Sequence, residues 1–377
     1  MKKVIFDVDG VLLSEERYFD VSALTVWEWL YSPYYMGLAN DSGLPFHGDD
    51  AWIAAVRDRV WAGDTLLSWL KAHGINSNWE MVHAFLITAS WLMARQFREE
   101  TGHLPPLSLK NRDEVRALGS LLADRAVPGA EEILLFWESH VESQVEGAAL
   151  FVCLRQAAEV EAGRELPFMN LDSPFFRMHQ LAFQQWYLGD EVFPEIMHEK
   201  GYGDRKEGVL QKEVPLGDAG DIRNMLKQLK AAGFSLGVAT GRGAKEVEIP
   251  FRFFGWYDEL DPLYIATASD AEAVSSQYGN IPLGKPSPFL YLCAAYGKKP
   301  EKYEEYITQG RIQDNDEIYV IGDSYSDVLG ARAAGARFIG VLTGLTGKAA
   351  AAMFEKEKAI YSENVLTAVW EHILKRA

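Results

Sequence analysis

The chain has 377 residues, 48% of them hydrophobic and 24% charged, and carries a formal charge of −17 at pH 7. That length allows two or three domains, and the acidic balance argues against nucleic acid or anionic membranes as general partners, because both need a basic footprint. The two cysteines, Cys153 and Cys293, lie far apart, no apolar run approaches a membrane span and no signal-peptide pattern precedes the first strand, so a cytoplasmic setting is expected.

The first element is an apolar strand over residues 4–6 (VIF), followed at once by Asp7, Val8, Asp9 and Gly10. Three strand formers without polar alternation read as a fully buried strand, which puts both aspartates where the chain leaves a sheet. If the backbone stays extended, positions i and i+2 face the same way about 7 Å apart, a gap suited to a tetrahedral anion or a metal with its waters. From residue 19 to 204 the texture changes. Helical patterns cover 21–30, 50–70, 79–98, 113–124, 131–142, 146–161 and 174–188, and nine of the eleven tryptophans lie in this stretch. It reads as a mostly helical domain, packed around tryptophan, inserted into the first one. Strand and helix alternate again beyond it. An amphipathic helix carrying Ile222, Met225, Leu226 and Leu229 leads into a strand over 235–239 (SLGVA). A further strand over 318–321 (IYVI) precedes GDSYSD and a helix ended by Gly335, and 337–341 (RFIGV) is another strand. This order predicts an α/β fold with a doubly wound parallel sheet built from residues 1–18 and 205–377. Ligands of such sheets bind at the carboxyl ends of the strands, where Asp7, Thr240 and Asp323 fall.

Four short motifs mark those ends: DVDGV at 7–11, VATGRG at 238–243, GKPSPF at 284–289 and GDSYSD at 322–327. Each is weak alone, since aspartate and glycine crowd ordinary turns and a lone threonine or lysine is commonplace. In this order, each beside a strand or helix boundary, they resemble the haloacid dehalogenase-like hydrolase superfamily, with a Rossmann-like core. The insert resembles that family's cap only in location, being much longer than the usual cap there.

Asp7, Asp9 and Asp323 at neighbouring strand ends would repel one another by about 4 kcal/mol per pair at 4 Å and an effective dielectric near 20. A cation removes that conflict, and all-oxygen ligands favour Mg²⁺ over zinc, which prefers histidine and cysteine. The resemblance implies that Asp7 and Asp323 give carboxylate oxygens to the metal and Asp9 its backbone carbonyl, with Asp327 behind them accepting from water or Lys285. It further implies a small phosphorylated substrate, Asp7 as nucleophile and Asp9 as general acid and base. Thr240, the backbone amides of Gly241 and Arg242, and Lys285 would grip the phosphate, and Pro286 would open a helix directly after that lysine. The Arg242 side chain reads as surface charge.

Asp9 argues against dehalogenation, since dehalogenases of the superfamily lack a second aspartate. Val11 keeps a sugar-phosphate mutase open, because mutases of the family often carry valine there. A phosphate-binding protein without turnover, and phosphonate cleavage through an insert lysine (Lys71, Lys110, Lys200 or Lys206), are the other readings. The insert is expected to cap the strand ends and to hinge near residues 14–19 and 204–214.

Overall fold

The computed structural model describes residues 1–40, 43–44, 49–75, 77–203 and 206–376. The chain divides into two compact units, one formed by Met1–Arg17 with Leu210–Ala377 and the other by Tyr18–Val209. The expected second boundary, at residues 204 and 205, lies outside the described residues.

The first unit is built on a six-stranded, all-parallel sheet: β1 (Lys2–Phe6), β2 (Ser235–Ala239), β3 (Ile265–Ala266), β4 (Glu317–Gly322), β5 (Arg337–Val341) and β6 (Ile360–Ser362), in the order β3-β2-β1-β4-β5-β6. The chain moves from β1 through β2 to β3 on one side, then crosses back to β4 on the other. The winding therefore reverses between β1 and β4, which leaves a crevice at their carboxyl ends. Strand β1 shows why the sequence forms this sheet. Val4 and Phe6 enter the hydrophobic layer that holds Ile222, Met225, Leu226 and Leu229, while Ile5 enters the opposite layer with Phe289, Leu290 and Ala331. Both faces are covered, so the strand needs no polar alternation.

The Lys3 side chain is buried at the other end of β1, donating to the carbonyls of Ala294 and Ala295 at 3.1 and 2.7 Å. These end the helix Phe289–Tyr296, so a cation there complements the negative end of the helix. Burial, partly opposed by Asp261, pulls its ammonium down to about 7. Strands β3 and β6 have two and three residues, too few for a periodic signal, and the sequence reading omits both.

The second unit is helical: Glu16–Tyr31 from Tyr18 onward, Asp50–Trp61, Thr65–Ala72, Asn78–Thr101, Arg112–Leu122, Ala130–His140, Ala148–Ala162 and Pro174–Met197. Trp27, Trp29, Trp61, Trp91 and Trp137 are all fully buried in it. The single helix expected over 50–70 is two, because Ala62, Gly63 and Asp64 take left-handed backbone conformations between them. The helix expected to stop at 188 instead continues beyond Gly189, whose φ of 78° interrupts it. A side chain at 189 would meet the Glu207 carbonyl oxygen at 2.6 Å, so glycine is required there. No helix among the described residues is long and apolar enough to cross a membrane.

Candidate functional site

Asp7 is the first residue beyond β1. Its amide donates to the Ile321 carbonyl of β4 at 2.9 Å, and its carboxylate accepts from the Val8 amide at 2.8 Å and from Lys285 Nζ at 2.7 Å. The chain then folds back tightly, with the amides of Leu12 and Leu13 both bonded to the Val8 carbonyl at 2.9 Å. Gly10 makes this turn possible, having φ 70° and leaving no room for a side chain beside Asp323. The outgoing and returning segments of this unit are stitched together. Ser14 N bonds to Val214 O at 2.8 Å, Leu216 N to Leu12 O at 3.0 Å and Arg17 Nε to Lys212 O at 2.7 Å. The first and third of these bonds tie together the parts of the two expected hinge stretches that lie within the unit.

Beyond β2, Thr240 is fully buried, its amide donates to Ala266 O at 3.0 Å, and its hydroxyl oxygen accepts from the Arg242 amide at 3.1 Å. One of the two amides that the sequence assigns to phosphate thus already has an internal partner. The Arg242 side chain is not surface charge. It is 1% exposed, with Nε and Nη2 donating to Asp9 Oδ1 at 2.9 and 2.6 Å and Nη1 to Glu213 Oε1 at 2.7 Å. The correction has a plain cause: its partners lie far away in sequence, on the first loop and on the returning segment.

Lys285 sits in a turn closed by Ser287 N to Gly284 O at 2.9 Å. The helix that follows starts at Phe289, with Pro288 at its cap, and not at Pro286 as expected. The turn keeps 284–287 out of helical geometry, and its lysine reaches Asp7 Oδ1 and Asp327 Oδ1, each at 2.7 Å. Beyond β4, Ser324 caps the helix Tyr325–Ala334, exchanging hydrogen bonds with Asp327. Asp327 is saturated: Oδ1 accepts from Lys285 and from the Tyr291 hydroxyl at 2.9 Å, and Oδ2 accepts from the Ser324 amide and hydroxyl.

Oxygens of Asp7, Asp323 and Asp327 all lie within 4.8 Å of one another. Burial pushes the Asp7 carboxyl up to about 7, against the pull of Lys285 and with a further push from Asp327 and Asp9. Burial, then Asp327 and Asp7, likewise hold Asp323 well above the ordinary aspartate range. Burial acts on Asp327 in the same direction, but Lys285 and the hydrogen bonds from Ser324 and Tyr291 more than offset it and hold Asp327 below that range. For Lys285, burial is outweighed by Asp327 and Asp7, and its charge is reinforced. Two of three clustered carboxylates are therefore uneasy as anions with one lysine between them, and a hard cation that prefers oxygen fits this donor set.

Two measurements follow. In metal-free protein, Asp7 and Asp323 take up protons more readily folded than unfolded, so their contribution to stability is present near pH 4 and is lost as pH rises towards about 7. Mg²⁺ is expected to raise the melting temperature more at about pH 7.5 than at about pH 5. An equal shift at both values would show that these carboxylates do not bind it. The second concerns Gly344, just beyond β5, where an added Cβ would come within 1.8 Å of Asp323 Oδ2. Gly344→Ala should displace that carboxylate, abolish the Mg²⁺-dependent shift and reduce activity by about 10²-fold, as expected for misplacement by roughly 1 Å. A retained shift in that variant would place the metal elsewhere.

Sequence reasoning misses Tyr291, Glu213 and Gly344. Only Gly344 carried a usable signal, since Thr343-Gly344 lies one residue beyond the strand over 337–341. Thr343 Oγ1 bonds to the Gly10 carbonyl at 2.6 Å and joins that loop to the first motif.

Comparison with known proteins gives four findings. The sequence profile described as HAD-hydrolase-like matches residues 282–368, the segment containing Lys285, Asp323 and Asp327. The X-ray structure of a Northeast Structural Genomics Consortium target is 33% identical, with a TM-score of 0.86 over 100% of both chains. A phosphoglycolate phosphatase of Pasteurella multocida (strain Pm70) is 27% identical over 126 residues, which is 33% of this chain and 44% of that protein, so the match spans under half of the relative's length. A hydrolase from Pseudomonas syringae is 15% identical, with a TM-score of 0.38 over 100% of both chains.

Proposed function

Because the chain belongs to the haloacid dehalogenase-like hydrolase superfamily, we propose that it hydrolyses a small phosphate monoester through an aspartyl-phosphate on Asp7. The observation that carries this reading is Lys285 Nζ at 2.7 Å from both Asp7 and Asp327, in the crevice where the sheet reverses. That contact keeps a buried carboxylate oriented and puts a fixed positive charge beside any group bonded to it.

In the first step an Asp7 oxygen bonds to phosphorus as the bond to the leaving oxygen breaks, and Asp9 gives that oxygen a proton. In the second, water bonds to phosphorus, Asp7 is released and the water proton passes to Asp9. The Thr240 hydroxyl, the Gly241 amide and Lys285 hold the nonbridging oxygens. Mg²⁺ would be held by the carboxylates of Asp7 and Asp323 and the Asp9 carbonyl, and when bound would supply positive charge to the phosphoryl group. Asp327 keeps Lys285 in place between them.

A screen of small phosphate esters with Mg²⁺, phosphoglycolate among them because of the matched relative, tests the reading by phosphate release. Val11 favours one second reading, a sugar-phosphate mutase, whose aspartyl-phosphate waits for a second hydroxyl acceptor. Phosphate release without added bisphosphate is the expected result. Isomerisation that depends on a bisphosphate, with negligible release, would select the mutase, and tight phosphate binding without either reaction would select a silent binder.

A further inference from the structure

Arg242 does something the four motifs leave unassigned. Its guanidinium is buried between two segments remote in sequence, the loop after β1, which carries Asp9, and the returning segment, which carries Glu213, and it also meets the start of the adjoining helix Ala244–Phe253, whose Glu246 carbonyl accepts from Nη1 at 3.4 Å. Both bonds to Asp9 end on Oδ1, and neither ends on Oδ2. Glu213 in turn precedes Val214, whose carbonyl is bonded to the Ser14 amide. A planar donor fork gripping one oxygen of a carboxylate fixes the direction of the other, which a flexible ammonium would not do.

We propose that Arg242 is the positioning residue for Asp9: it clamps Oδ1 against the returning segment through Glu213, so that Oδ2 is the oxygen that exchanges a proton with the leaving group and then with water. The proposal rests on the aspartyl-phosphate reading. Asp7 has its own supports in Lys285 and the Val8 amide, and Arg242 is absent from them. Loss of Arg242 should therefore damage proton transfer and spare nucleophilic attack.

The test uses the full-length protein with Mg²⁺ and compares two phosphoryl donors in rapid-quench experiments. One is p-nitrophenyl phosphate, whose leaving group departs as a stable anion and needs no acid. The other is an alkyl phosphate accepted by the wild type, whose leaving oxygen needs a proton. Removing one buried charge strands the other, so Arg242→Lys is paired with the double variant Arg242→Met/Glu213→Met, in which neither charge is left alone. Cooperative thermal melting selects the variants that fold.

In a folded variant, the rate of Asp7 phosphorylation by p-nitrophenyl phosphate should stay within a few-fold of wild type. Alkyl ester turnover and release of phosphate from the phosphoenzyme should both fall on the order of 10²-fold or more, so that phosphoenzyme accumulates. A purely structural role would slow both donors alike without accumulation, and that result overturns the proposal. Faster phosphoenzyme breakdown would also overturn it, since Arg242 would then be holding Asp9 away from the reaction. If the wild type itself forms no phosphoenzyme from either donor, the underlying mechanism fails and the role for Arg242 fails with it.

Discussion

Asp7→Asn is expected to lower turnover by on the order of 10⁴ to 10⁶-fold, the scale seen when a covalent nucleophile is removed from an otherwise complete site. The substitution keeps the shape of the side chain and leaves an amide where phosphorus must bond to a charged oxygen. It should not unfold the protein. The Asp7 carboxylate is buried next to Asp323 and Asp327, so the metal-free variant loses a repulsion, while Lys285 keeps its bond to Asp327. We expect a metal-free melting temperature equal to or above that of the wild type, together with a near-total loss of turnover. The stereochemical course at phosphorus separates nucleophile from bystander. A thiophosphate ester made chiral at phosphorus with oxygen isotopes should release thiophosphate of retained configuration, because two in-line displacements, first by Asp7 and then by water, each invert it. Inverted configuration, the outcome of one displacement, would mean that water attacks the ester itself. Beryllium fluoride should inhibit the wild type by occupying the acyl-phosphate position and should lose its hold on Asp7→Asn.

What could be read from the sequence depended on how local each signal was. Residues 4–6 announce a buried strand because every one is apolar, and the aspartates that follow point to a site only together with the three later motifs, since alone they would pass for an ordinary turn. The sheet, with Asp7, Thr240 and Asp323 near the reversal of winding, was legible for that reason. Strands of two and three residues carry no period, so β3 and β6 were not. Arg242 was misread because an arginine after a strand end looks solvated unless its partners are known, and Asp9 and Glu213 lie 233 and 29 residues away. Tyr291 gave no sign for a similar reason: its hydroxyl meets Asp327 across 36 residues, from within an apolar helix where an aromatic ring needs no explanation. The helical insert yielded its helices from periodicity and its tryptophan core from composition.

Lys285→Met should expose how the site is balanced. In the wild type one ammonium bonds to Asp7 and Asp327 at 2.7 Å each, and Asp323 completes a trio of carboxylates within 4.8 Å. Removing the cation leaves that trio to itself, with each charged pair repelling by about 4 kcal/mol at 4 Å and an effective dielectric near 20. Loss of one partner from a buried ion pair costs about 3 to 5 kcal/mol, so the metal-free variant should melt well below the wild type at neutral pH. The sign of the pH dependence follows from Asp327. Lys285 is the largest influence holding its carboxyl below the ordinary aspartate range against burial, so without that charge Asp327 should join Asp7 and Asp323 in binding protons more readily folded than unfolded. The variant should therefore regain stability as pH falls from about 7 towards 4, more steeply than the wild type. Mg²⁺ should restore part of the loss at neutral pH by supplying positive charge to the same oxygens. Turnover should nevertheless stay about 10² to 10³-fold below wild type with Mg²⁺ present, because the fixed charge beside the phosphoryl group is gone. Melting curves at several pH values, with and without Mg²⁺, and phosphate release on the refolded variant decide the matter. A loss of stability that is the same at every pH, or a variant that turns over like the wild type, would remove Lys285 from the centre of the site.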